Sequence, residues 1–358
     1  MNRLNYLDGL RGFAALSVVV GHIYGAFFGN YSNVALPNSS FFAYKPLFLL
    51  YDAALAVEIF FVLSGFVLSY QYMQFKNESY LQKLVIKRIP RLGIPVFFVL
   101  LLSGILNAGE GAHNEMEKLA LIPKLFVYNV PGFLELFQFS FFKVFIPSST
   151  QLYIGALWTL RYEFWGSMLI ALMAPLLCRM RFNSLVYFLV LIVTLVYSYH
   201  FGSFLFGLGL CYIYVNYNRY FVNRHLQYTA AAGVMVFFVL YITLFRTDIL
   251  ISFYACFVVV AVLFVPALQA FFSTKPLLFL GKISFPLYLV HMVVIASPIS
   301  SLVLRHIKYF DSGWFQLSIC TLAVIGSILA ARAFYVFELM GIKSGAALAN
   351  FLIKDKEK

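Results

Sequence analysis

Two residues of the first apolar segment are spaced to do chemistry together. In the stretch LDGLRGFAALSVVVGH, Arg11 precedes His22 by eleven positions. Eleven helical steps return almost to the same azimuth and climb roughly 16 Å. Arg11 at a membrane surface would therefore sit beneath a histidine about halfway through a ~30 Å hydrocarbon layer. Asp8, Ala15 and Val18 fill the same stripe at steps of three and four, so a polar line runs inward from the aqueous edge. An imidazole that titrates near neutrality is suited to moving a proton, and a guanidinium fork to holding an anion.

Three more polar groups fall at a similar depth in other apolar segments. Glu58 lies about eleven residues into the second, Glu163 about nine into the fourth and His291 about twelve into the ninth. Each costs roughly 2.5–3.5 kcal/mol at a span centre if it faces lipid. The expectation is a buried polar chamber shared by His22, Glu58, Glu163 and His291. Arg161 and Glu163, two apart on a helix, face away from each other, so at least one needs a partner on another span. A structural alternative stands beside each: a membrane histidine as a helix-packing donor, an Arg with a Glu as an ion pair of the bundle interior.

These groups need an apolar scaffold, and the composition supplies one. Of 358 residues, 62% are hydrophobic and only 11% charged, with 65 Phe and Tyr together, a profile that excludes an ordinary soluble globular chain. Apolar stretches lie at about 10–29, 47–73, 93–107, 154–178, 184–200, 201–217, 227–246, 249–272, 279–303 and 313–338. They lack a period of two, so the predicted fold is all-α: a polytopic membrane bundle of about ten transmembrane helices. So many aromatic rings single out no sugar-binding platform.

The net charge of +12 is mostly topological. Ten spans put sixteen Lys and Arg on the side that holds Arg3, Lys83 and the tail, against seven on the other, from Lys45 to Lys308. The positive-inside rule then predicts both termini in the cytoplasm. No aromatic-interleaved basic groove points to nucleic acid. Asp8 and Arg11 interrupt any signal-peptide pattern, so the first span is expected to remain as an uncleaved anchor. Cys178, Cys211, Cys256 and Cys320 lie in or at the ends of spans without metal-ligand spacing, so neither a disulfide nor a metal is expected.

Two stretches lie outside the spans. In 74–92, Lys83, Lys87, Arg88 and Arg91 interleave with Leu81, Leu84, Val85 and Ile89, which predicts a short basic amphipathic helix on the cytoplasmic surface, attracted to anionic lipid and ended by Pro90. Residues 108–153, with Glu110, Glu115, Glu117 and Glu135 among aromatics, form the long extracytoplasmic segment, either an acceptor platform or an ordered lid.

Five motifs in order make the chain similar to the acyltransferase 3 family of integral-membrane acyltransferases, across essentially its whole length. Leu7-Asp8-Gly9-Leu10-Arg11-Gly12 with His22 resembles the family's first-span signature. Glu58 followed by Phe60-Phe61-Val62-Leu63-Ser64-Gly65-Phe66 resembles the second-span motif, and Lys87-Arg88-Ile89-Pro90-Arg91 the cytoplasmic arginine motif. Trp158-Thr159-Leu160-Arg161-Tyr162-Glu163 looks like the Trp-Ser-Leu-x-x-Glu element, and Tyr288-Leu289-Val290-His291 like the late Tyr-Leu-x-His motif. Phe337-Glu338 lacks the proline that follows the glutamate in many members, so no role is expected for Glu338.

The resemblance implies an O-acetyltransferase with no bound cofactor, acetyl-CoA being the donor substrate. The acceptor would be a hydroxyl of a cell-surface saccharide, O-antigen lipopolysaccharide or exopolysaccharide foremost, reached across the bacterial inner membrane. Residues 1–340 would form the catalytic domain and 341–358 a basic cytoplasmic tail. With no fused SGNH-type domain expected, any esterase-like step would fall to a separate extracytoplasmic transferase. Arg11, Arg88 and Arg91 would hold the phosphates of CoA. His22 would act as general base or as an acyl relay, with Glu58, or secondarily Glu163, orienting its ring. Tyr288, His291, Trp158 and Arg161 would contact the acceptor or the transition state. Ten spans with mid-depth charges also describe a secondary transporter or a purely structural subunit, although no repeated half with matched broken helices is visible.

Overall fold

Backbone groups surrounded by lipid must satisfy one another, and the chain does this with helices. The computed structural model describes residues 4–28, 48–108, 132–146, 153–179, 183–217, 223–243, 247–310 and 312–353, and among these there is no strand. The helices are α1 (Asn5–Phe27), α2 (Phe48–Tyr51), α3 (Ala53–Phe75), α4 (Glu78–Ala108), α5 (Phe133–Phe141), α6 (Trp158–Arg179), α7 (Asn183–Tyr197) and α8 (Tyr199–Asn216). They continue as α9 (Arg224–Thr243), α10 (Asp248–Phe264), α11 (Pro266–Phe272), α12 (Lys275–Lys282), α13 (Ser284–Val294), α14 (Ser300–Arg305) and α15 (Gly313–Leu352).

Among the described residues each of the ten apolar stretches falls largely on helix, and the protein is a helical, multi-pass membrane protein. By length and apolarity α1, α3, α4, the run from Ser284 to Arg305 and α15 qualify as spans, with a sixth if α10 and α11, bent by 97°, cross as one. With 15 residues, α7 falls short of the ~17–25 that a span needs. α15 is the longest element, 40 residues or about 60 Å.

α3 lies at the centre. Its start is set by Asp52, whose side chain accepts from the Leu55 amide at 3.1 Å and also bonds the Tyr241 hydroxyl. Its end is set by Lys76 in the left-handed region, φ 52°. Glycines bring its backbone against α8: a Cβ at Gly65 would sit 2.0 Å from the Phe204 carbonyl oxygen, and one at Gly207 2.0 Å from that of Val62. This close approach fixes which face of α3 each polar residue presents.

The basic stretch departs from its expectation. Pro90 does not end a surface helix; α4 runs through both Pro90 and Pro95. Its backbone is buttressed by α15, where Gly341 and Gly345 let the two helices meet at the carbonyls of Pro90 and Lys87. Leu81 and Leu84 are buried as an amphipathic helix requires, but next to Pro90 the order reverses: Arg88 is 3% exposed and Ile89 39%. For the same reason 341–352 are not a separate tail but the last turns of α15, with Gly341, Gly345 and Ala349 buried.

Of the long segment between α4 and α6, α5 packs its Leu136, Phe139 and Ser140 inward, and Glu135 accepts a 2.7 Å hydrogen bond from Tyr153. Burial and this carboxylate push the Tyr153 phenol above its ordinary pKa. Glu110, Glu115 and Glu117, and the tail lysines Lys354, Lys356 and Lys358, lie outside the described residues.

Candidate active site

The N-terminal turns of α1 and the C-terminal half of α3 share one end of the bundle with the first half of α4 and the last third of α15. Between them is a cavity of about 300 Å³ whose lining includes Asp8, Arg11, Ser64, Arg88, Arg91, Glu163, Lys282 and Glu338. Lys282 is exposed, Arg11 and Arg91 are half-buried and Arg88 is buried, so positive charge leads from the mouth inward. Beside the mouth stand Val67 and Ile342, both partly exposed. The inner wall is made by Phe60, Thr159 and Tyr288.

Arg88 organises the inner half. Its Nη1 lies 3.2 Å from Glu163 Oε1, and Ser64 donates to the same carboxylate at 3.0 and 3.2 Å. Glu163 thus finds its cationic partner on α4 rather than in Arg161, whose Nε donates to the Trp158 carbonyl at 3.1 Å. The second terminal nitrogen of Arg88, Nη2, is buried with no hydrogen-bond partner among the described residues. An unsatisfied buried donor on a guanidinium costs a few kcal/mol unless an acceptor arrives. In a cation-lined cavity that acceptor is an anion or a carbonyl. Glu338, for which the sequence offered no role, lines the same cavity and also leaves a buried oxygen unpaired.

His22 and His291 form a pair. His22 Nδ1 is 2.9 Å from the Val18 carbonyl and His291 Nδ1 is 3.1 Å from that of Leu287. A carbonyl can only accept, so both Nδ1 atoms carry protons. His291 Nε2, 3.1 Å from His22 Nδ1, then faces it with a lone pair. Among the described residues this arrangement leaves Nε2 of His22 as a base with no group bonded to it. His291 lies beside Tyr288, ring centroids 5.9 Å apart, and Tyr288 is the inner wall of the cavity. Its hydroxyl donates to the Ala156 carbonyl and accepts from Thr159, each at 2.9 Å, which ties the Trp158–Glu163 motif to the Tyr288–His291 motif.

Glu58 departs from its expected place. It does not orient His22. It is 1% exposed and turned towards α8, where His200 Nδ1 donates to Oε1 at 2.5 Å and Ser203 to Oε2 at 2.5 Å, with Ser252 at 3.4 Å. The single expected chamber is therefore three separate clusters: His22 with His291, Glu163 with Arg88, and Glu58 with His200. A shared depth fixes only one coordinate of a helical residue; azimuth, set here by the glycine contacts of α3 and α8, decides its neighbours.

His200, Ser203 and Lys282 join the picture from outside the expected set. His200 opens an apolar helix only one residue after its start, and such a position in sequence looks like a boundary residue. Trp158 lies 5.2 Å from the His200 ring and belongs with that cluster.

Against known proteins, residues 4–332 match the family model described as an acyltransferase domain, Acyl_transf_3. Over 115 residues the chain is 31% identical to O-acetyltransferase PaAT-1 of Phomopsis amygdali, a match that covers 30% of this chain and 23% of that protein. No solved structure matches the chain.

Proposed function

Because the chain belongs to the acyltransferase 3 family and is an acyltransferase, we propose that it is an O-acetyltransferase that moves an acetyl group from acetyl-CoA on the cytoplasmic side to a hydroxyl of a cell-surface saccharide. The observation that carries this reading is the cavity whose cations deepen from Lys282 to the orphaned Nη2 of Arg88 and whose inner wall, Tyr288, stands beside His291, the partner of His22. A donor with phosphates at one end and a thioester at the other has the same polarity. Arg11, Arg91 and Lys282 would hold its anionic groups and the pantetheine arm would run inward past Ser64 and Phe60.

His22 would act as general base through Nε2. The acceptor oxygen attacks the thioester carbonyl, an O–C bond forms as the C–S bond breaks, and the hydroxyl proton passes through His22 to the departing CoA thiolate. The Val18 carbonyl and His291 take the orienting role assigned to Glu58 by analogy with hydrolase triads. As His22 gains a proton, its Nδ1–H becomes a stronger donor to the lone pair of His291, so positive charge is shared by two rings without a carboxylate. In the covalent variant Nε2 attacks the thioester itself and passes the acetyl on. Glu163 acts at one remove, holding Arg88.

The test uses inside-out membrane vesicles carrying the wild-type chain or His22→Ala with radiolabelled acetyl-CoA, following alkali-labile label in the saccharide fraction. Label that requires His22 is the expected result. Equal label with both proteins would remove His22 from the mechanism, and no label from folded wild-type protein would reopen both substrates.

A further inference from the structure

The end of the bundle away from the donor cavity's mouth carries a second, larger hollow. Here α6, α8 and α10 begin, and a cleft of about 750 Å³ lies between their first turns, walled by Tyr162, Trp165, Tyr199 and His200 and edged by Arg161 and Asp248. Along α3 the His200 partner, Glu58, lies nine residues from Val67 at the cavity mouth, a separation of about 13 Å along one rigid helix. The two hollows meet back to back at Phe61. Its ring lines the donor cavity and lies 5.6 Å from His200 and 6.1 Å from Tyr162.

His200 gives the cleft its chemistry. The side chain is 10% exposed, with Tyr199 and Tyr162 at 4.1 and 4.4 Å and Trp158 at 5.2 Å. Its Nδ1–H is committed to the buried Glu58, which fixes the tautomer. In the neutral ring Nε2 keeps a lone pair, and it has no hydrogen-bond partner among the described residues. It sits in a box of aromatic rings, at the wall of an open cleft. A group that fits must stack flat apolar faces on aromatic rings, donate a hydrogen bond to an imidazole, and offer further hydroxyls to a guanidinium and a carboxylate at the rim. A pyranose ring does all three: its C–H faces stack, and its hydroxyls both donate and accept.

We propose that this cleft is the binding site for a sugar residue of the acceptor, with His200 Nε2 accepting from a sugar hydroxyl, Tyr162, Tyr199 and Trp165 providing the stacking faces, and Glu58 acting as the positioning residue of His200. The proposal rests on the saccharide-acceptor reading above and gives it an address. It also assigns Glu58 to recognition of the acceptor and not to the base.

The full chain in lipid nanodiscs is tested with a mixture of methyl pyranosides of hexoses, deoxyhexoses and N-acetylhexosamines, read by saturation-transfer NMR, with CoA titrated separately by calorimetry. Wild-type protein is expected to saturate ring protons of at least one glycoside. Tyr199→Ala and His200→Phe are each expected to weaken that binding about tenfold or more while the CoA affinity moves by no more than about twofold. His200→Phe keeps an aromatic ring in the box, and if it does not fold, Tyr199→Ala at the half-buried cleft wall carries the same test. Wild-type protein that binds CoA but no glycoside overturns the cleft as a sugar site and leaves the donor reading intact. Glycoside binding that survives both substitutions overturns the location. Glycoside binding without CoA binding upholds the cleft and counts against the donor cavity instead.

Discussion

Nε2 of His291 faces Nδ1 of His22 at 3.1 Å, and the carbonyls of Val18 and Leu287 hold both rings in the same tautomer. The proposed base is thus set by a second imidazole and two backbone oxygens, with no carboxylate among the described residues bonded to either ring. A neutral partner polarises the base less than a carboxylate would, but it adds no second charge to a site within the membrane.

Removing His22 should cost more than removing its partner. His22→Ala is expected to lower kcat by about 10² to 10⁴, the usual worth of a positioned general base. His291→Phe, which keeps the ring and loses the acceptor, is expected to lower it by about ten- to a hundredfold through misorientation. CoA release at saturating donor, with acceptor present, checks both, and equal losses would argue that the two histidines act as one unit.

Breaking the Arg88–Glu163 pair from one side leaves a buried charge without its partner. Glu163→Ala is expected to destabilise the protein by about 3 kcal/mol, the low end for such pairs because the Glu163 side chain is 21% exposed. Adding Arg88→Met removes the orphaned charge and should restore part of that loss. Thermal unfolding in detergent of the two single variants and the double variant measures the coupling; additive losses would show that the pair contributes nothing.

The exposed and half-buried cations should govern donor capture and not turnover. Lys282→Gln and Arg91→Gln are expected to raise KM for acetyl-CoA several-fold with kcat little changed. Wild-type kcat/KM is expected to fall as ionic strength rises from about 0.01 to 0.15 M, where the screening length shortens from about 30 to 8 Å. The Lys282→Gln variant should show a shallower dependence, and an identical slope would remove Lys282 from the donor path.

Close packing of α3 on α8 leaves no room for a side chain at Gly207. Gly207→Val places carbon 2.0 Å from the Val62 carbonyl oxygen if nothing moves. The helices must separate, at a cost at or above the upper end of the ~1–3 kcal/mol typical of overpacking. A lowered melting temperature together with weakened acceptor dependence is the expected signature, since the same contact holds Glu58 against His200.

Much of this was legible in the sequence. Helix was readable wherever apolar residues ran without a period of two, and the spacing of Arg11 and His22 put both on one face of α1, where Arg11 lines the cavity and His22 meets His291. Depth could also be counted, which is why Glu58, Glu163, His22 and His291 were grouped. What counting residues along a span cannot supply is rotation about the helix axis, and rotation decided that Glu58 meets His200 and Glu163 meets Arg88. Pro90 misled for a related reason: a proline stops a helix that has only itself for support, and α4 has α15 alongside it. His200 and its aromatic box were hidden by abundance, because among 65 Phe and Tyr residues Phe61, Tyr162 and Tyr199 do not stand out until the fold puts them around one imidazole.

α15 is about twice as long as the hydrocarbon layer is thick. If its first twenty residues fill the bilayer, the turns bearing Tyr335, Glu338 and Ile342 have already reached the layer of lipid headgroups, and they bring the donor cavity's mouth with them. Arg91 and Lys282 then stand where lipid phosphates also stand. The donor slot is in this sense a berth at the quayside, contested by the anionic lipids moored around it. Membrane composition becomes a control on the enzyme, with a more acidic leaflet expected to raise the donor concentration needed for half-maximal rate.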